Sequence, residues 1–171
     1  KRFFKDVQNL GYNYYRKTHF NSILNIVPQQ EAWVVERFGR FFKVLSPGLQ
    51  ILVPFVDQIS YIHSLKEVAV NIAEQTAITM DNVTLTIDGI LFYQVIDPFK
   101  ASYEIENHDY AIKQLAQTTM RSEIGKLHLD DVFKERDTLN KKIVDSIRSA
   151  AVKWGIECMR YEIRLINIGY F

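Results

Sequence analysis

Apolar side chains recur at every second position through Val83, Leu85 and Ile87 and again at Leu91, Tyr93 and Val95, with Thr84, Thr86, Asp88, Phe92 and Gln94 between them. A period of two over that length fits an extended strand with one face in a core, and little else. Asp88-Gly89 in its middle would ordinarily announce a hairpin turn. The apolar phase continues through the glycine, so a bulge inside one long strand is expected instead. Asp81-Asn82 ahead of the stretch reads as a hairpin turn, and Asp97-Pro98 ends it.

The same texture extends over residues 26–105. Ala32-Trp33-Val34-Val35 is a first run, Gly39 interrupts it, residues 41–45 resume, and Ser46-Pro47-Gly48 turns the chain. Residues 59–62 and 67–72 follow. After Asn107 the period changes: Tyr110, Ala111, Leu115 and Ala116 fall at helical spacing through Ile124, with Gly125 as a stop. A second helix is expected from Asp130 or Asp131 as N-cap. Its apolar stripe of Val132, Phe133, Leu139, Ile143, Ile147, Ala150 and Trp154 covers roughly 23 residues, about 35 Å, before Gly155. From Ile156 the chain alternates again through Met159, Tyr161, Ile163 and Leu165, a last strand that should join the earlier sheet. The expected fold is therefore α+β, a mostly antiparallel sheet followed by two helices and a final strand.

At 171 residues a chain buries about 70% of its unfolded surface and needs no staple, and one domain is the expectation. A lone Cys158 could supply no disulfide in any case. Lys and Arg number 21 against 20 Asp and Glu, far from the basic excess of a nucleic-acid-binding domain, so no nucleic acid partner is expected. The charge is uneven, however. Residues 1–20 carry Lys1, Arg2, Lys5, Arg16 and Lys17 against Asp6 alone, among Phe3, Phe4, Tyr12, Tyr14, Tyr15 and Phe20. Residues 1–25 thus read as a basic aromatic lead suited to an anionic lipid surface or to a transit segment. The first residue is Lys1 rather than Met, so residues upstream are expected. No apolar run reaches the 18 or so residues that span a bilayer. Residues 44–56 come nearest, but Pro47, Gly48 and Pro54 forbid a helix and leave a greasy loop or edge.

Chemistry leaves little trace. His19, His63, His108 and His128 are scattered and give no zinc spacing, so no metal is expected. Nucleophile-elbow, phosphate-loop and dinucleotide glycine motifs are missing, and no cofactor is expected. Cys158, between Glu157 and Met159 in a strand, reads as a half-buried structural thiol. No catalytic residue is assigned.

Longer motifs say more. Pro28-Gln29-Gln30-Glu31-Ala32-Trp33-Val34-Val35-Glu36-Arg37-Phe38-Gly39-Arg40, Ser46-Pro47-Gly48-Leu49 with Pro54, Asp81-Asn82-Val83, Ile87-Asp88-Gly89, Asp97-Pro98 and Gln114-Leu115-Ala116-Gln117-Thr118-Thr119-Met120-Arg121-Ser122-Glu123 together closely resemble the stomatin/prohibitin (SPFH, or band 7) family, over residues 26–168. The likeness is strongest to its mitochondrial stomatin-like branch. The resemblance implies a non-enzymatic scaffold at the mitochondrial inner membrane that forms large homo-oligomeric rings, associates with cardiolipin and prohibitins, and gathers proteases and respiratory components in lipid microdomains.

Joined to the residues, it suggests peripheral docking. Leu49, Ile51, Leu52, Val53 and Phe55 are expected to contact lipid, with Lys1, Arg2, Lys5, Arg16 and Lys17 facing lipid phosphates. The alternative for these loop residues is that they are core beneath a turn. In the family the last strand leads into a long charged coiled coil, whereas here Ile168 is followed only by Gly169-Tyr170-Phe171, so either a fragment or a shortened form, with a truncated end at residues 169–171, is expected. The rival reading is a regulator of a membrane protease or channel, acting through a helix surface near Lys113, Gln117 or Lys134.

Overall fold

The computed structural model describes residues 23–168, which form two compact units, the first through His63 and the second from Ser64. A length that suggests one domain thus carries two cores.

The first unit is all strand. β1 (Leu24–Val27) pairs antiparallel with β4 (Gly48–Ile51) as a two-stranded ribbon, and β2 (Glu31–Arg37) lies between β3 (Arg40–Leu45) and β5 (Asp57–Ser64) in a three-stranded sheet. Val27, Trp33, Val35, Leu45, Leu52 and Ile59 make its core, with Ile62 packed against it. The Trp33 indole is satisfied by a 2.9 Å bond to Glu31 Oε2. Six such side chains form a small core, so each carries a large share of its stability.

The second unit is built on β6 (Val68–Ile78), β7 (Thr84–Val95) and β8 (Ile156–Ile168), antiparallel with β7 in the middle. β7 is the strand of period two. Its expected irregularity lies at Asp88-Gly89, but the extra residues are on its neighbours: the register passes from Leu165 opposite Asp88 to Ile163 opposite Gly89, and from Gln75 opposite Ile87 to Ile72 opposite Gly89. Arg164, the extra residue on β8, turns its guanidinium to Asp88 at 2.5 and 3.0 Å. At Gly89 the neighbouring strand β8 leaves no room for a side chain. A Cβ there would stand 2.5 Å from the Tyr161 hydroxyl oxygen and 2.8 Å from the Glu162 carbonyl oxygen. Tyr161 spends that hydroxyl on the Met120 sulfur, at 2.8 Å.

Four helices lie between β7 and β8 where two were expected, and α2 and α4 pack on the sheet. α1 (Pro98–Tyr103) is a short one, with Asp97 as N-cap accepting from the Phe99 and Lys100 amides and Pro98 at the first position. α2 (His108–Ile124) buries His108, Ile112, Ala116, Met120 and Ile124, a strict four-residue step, and leaves Tyr110 exposed, so the stripe expected from Tyr110 is rotated. The longer helix is broken at Glu135 into α3 (Leu129–Lys134) and α4 (Arg136–Ala151), with a 3₁₀ turn at Val152–Trp154. Val132, Leu139, Ile143 and Ile147 remain on the buried side, whereas Phe133, just before the break, faces solvent.

The expected N-caps Asp130 and Asp131 lie inside the first turn of α3 and cap nothing. The cap comes from the β6–β7 turn, 48 residues away: Asp81 Oδ2 accepts the Leu129 amide at 2.8 Å, while Oδ1 meets His128 Nδ1 at 2.5 Å. The Leu129 amide and the His128 ring both hold the Asp81 carboxyl below its usual range, and Asp81 in turn raises His128 above that of a free imidazole. A raised histidine stabilises the fold fully below its unfolded pKa of about 6.5, and that contribution disappears as pH climbs through the folded value. Asp81→Ala is therefore expected to lower the melting temperature of the second unit more at pH 6 than at pH 9, by calorimetry of both proteins. An equal loss at the two pH values would leave only the amide cap at work.

Candidate functional site

β1 and β4 pair with Leu24 opposite Ile51 and Ile26 opposite Leu49. Alternation sends the intervening Asn25 and Val27 inward and these four outward. They are 58%, 68%, 74% and 64% exposed, so two cross-strand aliphatic pairs form a greasy face open to solvent. Scattered exposed hydrophobics are ordinary; four in register on one ribbon face are the kind of patch that marks a contact surface.

Two turns of the same unit add aromatic tips. Phe38, between β2 and β3, is 82% exposed at φ +51, and Phe55, after β4, is fully exposed at φ +69. The left-handed region is unfavourable for bulky residues, so the surroundings must fix both. The Phe38 amide bonds to the Val56 carbonyl at 3.4 Å, which places the turns side by side. Asp57 ties them: its carboxylate receives Arg37 Nε at 2.6 Å and Nη2 at 3.1 Å and the Val53 amide at 2.9 Å. Arg37, ahead of the other causes, holds the Asp57 carboxyl below the usual carboxylate range. Its contribution to stability is thus present above about pH 4 and is lost as pH falls through the lowered value. Arg37 also lies 3.9 Å above the Phe42 ring, and Lys43 lies 5.6 Å from it. Arg40, Phe41 and Phe42 are exposed on this hairpin.

Of the expected lipid contacts, Leu49, Ile51, Val53 and Phe55 are exposed. Leu52 is not: at 1% exposure it faces the core with Val27 and Trp33, because alternation along the strand turns it inward between two outward neighbours. It is withdrawn as a lipid contact. Lys1, Arg2, Lys5, Arg16 and Lys17 lie outside the described residues. Leu24, Ile26 and Phe38 are exposed as well, although residue order does not single them out. Their signal is faint, since only the pairing with β4 shows that the outward side of residues 24–27 is apolar, and Phe38 reads as an ordinary member of a strand end.

The second unit offers little reactive chemistry. Cys158 is fully buried, and burial pushes its thiol up to about 11, so it is inert at neutral pH. The Tyr93 hydroxyl donates to Asp109 Oδ1 at the start of α2, with His108 edge-on to the Tyr93 ring at 6.4 Å. Burial raises the Asp109 carboxyl to about 6, against a smaller opposing pull from Lys113, and burial lowers His108. A raised carboxylic acid favours the fold most below about pH 4, and that advantage fades as pH rises to 6. Asp109→Asn is expected to remove this falling slope from the stability of the second unit between pH 4 and 6, in urea titrations. Retention of the slope would place the titration elsewhere. Among the described residues no group of three His, Cys, Asp or Glu side chains gathers as metal ligands, and no helix is long and apolar enough to cross a membrane.

Residues 25–169 match the SPFH domain / Band 7 family profile, and the chain belongs to that family. Stomatin-like protein 2, mitochondrial, of Homo sapiens is 60% identical over 148 residues, 86% of this chain and 42% of the relative. The protein of that name from Rattus norvegicus is 59% identical over 148 residues, with the same coverage. Stomatin-like protein stl-1 of Caenorhabditis elegans is 58% identical over 144 residues, 84% of this chain and 44% of the relative. The chain therefore spans less than half the length of these curated relatives.

Proposed function

We propose that this chain is the membrane-docking part of a non-enzymatic mitochondrial scaffold, resting on the inner membrane without crossing it and gathering lipids and proteins through repeated copies. The observation that carries the reading is the outward face of the β1–β4 ribbon, where Leu24, Ile26, Leu49 and Ile51 stand in register in solvent. Each apolar side chain that enters the acyl boundary contributes on the order of 1 kcal/mol, and each basic group near an anionic surface about the same. Arg40 and Lys43, on the same hairpin as Phe38, supply that charge within the described residues. One copy then binds weakly and reversibly. An assembly binds firmly, because linked contacts multiply through effective concentration. Cardiolipin, doubly anionic with a broad apolar body, is the lipid this chemistry favours. The names of the relatives support the mitochondrial location, and partnership with prohibitins and inner-membrane proteases belongs to the same proposal by family.

Flotation of the purified chain with phosphatidylcholine vesicles, with and without cardiolipin, at low and physiological salt, tests the reading. Cardiolipin-dependent flotation that weakens with salt and falls at least about tenfold in Leu49→Asp/Ile51→Asp is expected. Equal flotation of the variant, or none by the parent chain, would remove the ribbon as the docking face.

A further inference from the structure

Helix α4 shows solvent a row of charges of alternating sign. Asp137, Lys141, Asp145 and Arg148 are all exposed, and at spacings of four, four and three residues they fall within one stripe of the helix. Among the described residues none of Asp137, Lys141 and Asp145 makes an ion pair, although the spacing would permit pairs within the helix. The row is also firmly mounted. Asn140 accepts the Ile163 amide at 3.3 Å and Arg148 donates to the Cys158 carbonyl at 3.3 Å, so α4 lies antiparallel along the edge of β8 away from β7 and covers it against strand addition. Beside the row an open groove of about 540 Å³ runs between α4 and β8, lined in part by Val144 and the exposed Met159.

The order of these charges is minus, plus, minus, plus, and reading it backwards inverts every sign. Two copies of α4 packed antiparallel therefore place Asp137 opposite Arg148 and Lys141 opposite Asp145, each pairing occurring twice. Both pairings are centred within half a residue of position 143, as a single two-fold axis requires. A parallel arrangement in register would set like on like. We propose that this face of α4 is a self-complementary interface whose occupant is a second copy of this chain, with Met159 and the groove edge as its apolar seam. Exposed ion pairs are individually weak, so the row chooses orientation and excludes wrong partners, and the contact gains strength where copies are already held close on one surface. The inference deepens the self-association in the scaffold reading and rests on it to that extent. It is tested without lipid, so its failure would leave docking by the ribbon untouched.

Sedimentation equilibrium of the 171-residue chain at low and high salt reads the contact. The parent chain is expected to form a salt-sensitive dimer. Lys141→Asp alone puts acid opposite acid and Asp145→Lys alone puts base opposite base, so each is expected to lose about tenfold or more in association. Mixed one to one, the two variants restore every opposite pair, and the mixture should dimerise as the parent does while neither does alone. Both substitutions are exposed, and circular dichroism confirms the fold of each variant. A parent that stays monomeric at every salt, single variants that associate as well as the parent, or a mixture that fails to associate would each overturn the two-fold contact.

Discussion

Leu52→Asp is expected to unfold the first unit, while Leu49→Asp and Ile51→Asp, one to three residues away, leave it folded. Leu52 fills a core of only six buried side chains, among them Val27, Trp33 and Leu45. Replacement removes a buried leucine and puts a carboxyl group in its place with no partner to receive it, a combined cost of about 5 kcal/mol. That approaches the whole stability of a small unit. Leu49 and Ile51 already face water, so charge there changes stability by no more than about 0.5 kcal/mol. Trp33 sits in that core and reports its unfolding by fluorescence, most cleanly in a Trp154→Phe background. If Leu52→Asp keeps a native Trp33 spectrum and urea midpoint, the inward placement of Leu52 is wrong. The contrast matters for function, because a lipid-binding defect in Leu52→Asp would report unfolding, whereas the same defect in Leu49→Asp/Ile51→Asp would report docking.

The second large effect is expected in the other unit, from a single added carbon. Gly89→Ala places a methyl group 2.5 Å from the Tyr161 hydroxyl oxygen and 2.8 Å from the ring carbon that bears it. Neither the strand nor the ring can retreat cheaply, since Tyr161 is buried and spends its hydroxyl on Met120 in the middle of the core. Overpacking of this kind costs about 3 kcal/mol, which in a unit of this size moves the melting temperature down on the order of 10 °C. Adding Tyr161→Phe removes the shortest contact and should recover part of the loss, by differential scanning calorimetry of the single and double variants. A Gly89→Ala protein as stable as its parent would mean that β7 and β8 have room to separate.

Both sites show which parts of this protein could be read directly from residue order. The period of two from Val83 to Val95, the irregularity at Asp88-Gly89, the turn at Asp81-Asn82, the return strand after Gly155 and the family itself are local patterns, legible because each depends on neighbours within a few positions. Helix faces depend on more distant partners. Tyr110 and Ile112 suggest different faces of α2, and only packing against β6 and α4 selects the one through Ile112, Ala116 and Met120. The break at Glu135 carries no proline or glycine to announce it.

The candidate site lies at the far end of that scale. Residues 44–56 are visibly greasy, but which of them face water depends on their pairing with residues 24–27, about 25 positions earlier, and no local pattern contains that partner. The same holds for the cap of α3, supplied by Asp81 across 48 residues rather than by the neighbouring Asp130 or Asp131. Residue order alone determined the strand and helix periods, the α+β class and membership of the SPFH family, since those rest on short-range alternation and on long contiguous motifs. The tertiary structure decided that Leu52 is core and Leu49 surface, that Leu24, Ile26 and Phe38 join the apolar surface, and that the charges of α4 stand exposed in a row. Each of those facts is a question of which side of a paired element meets water, and long-range pairing alone sets that.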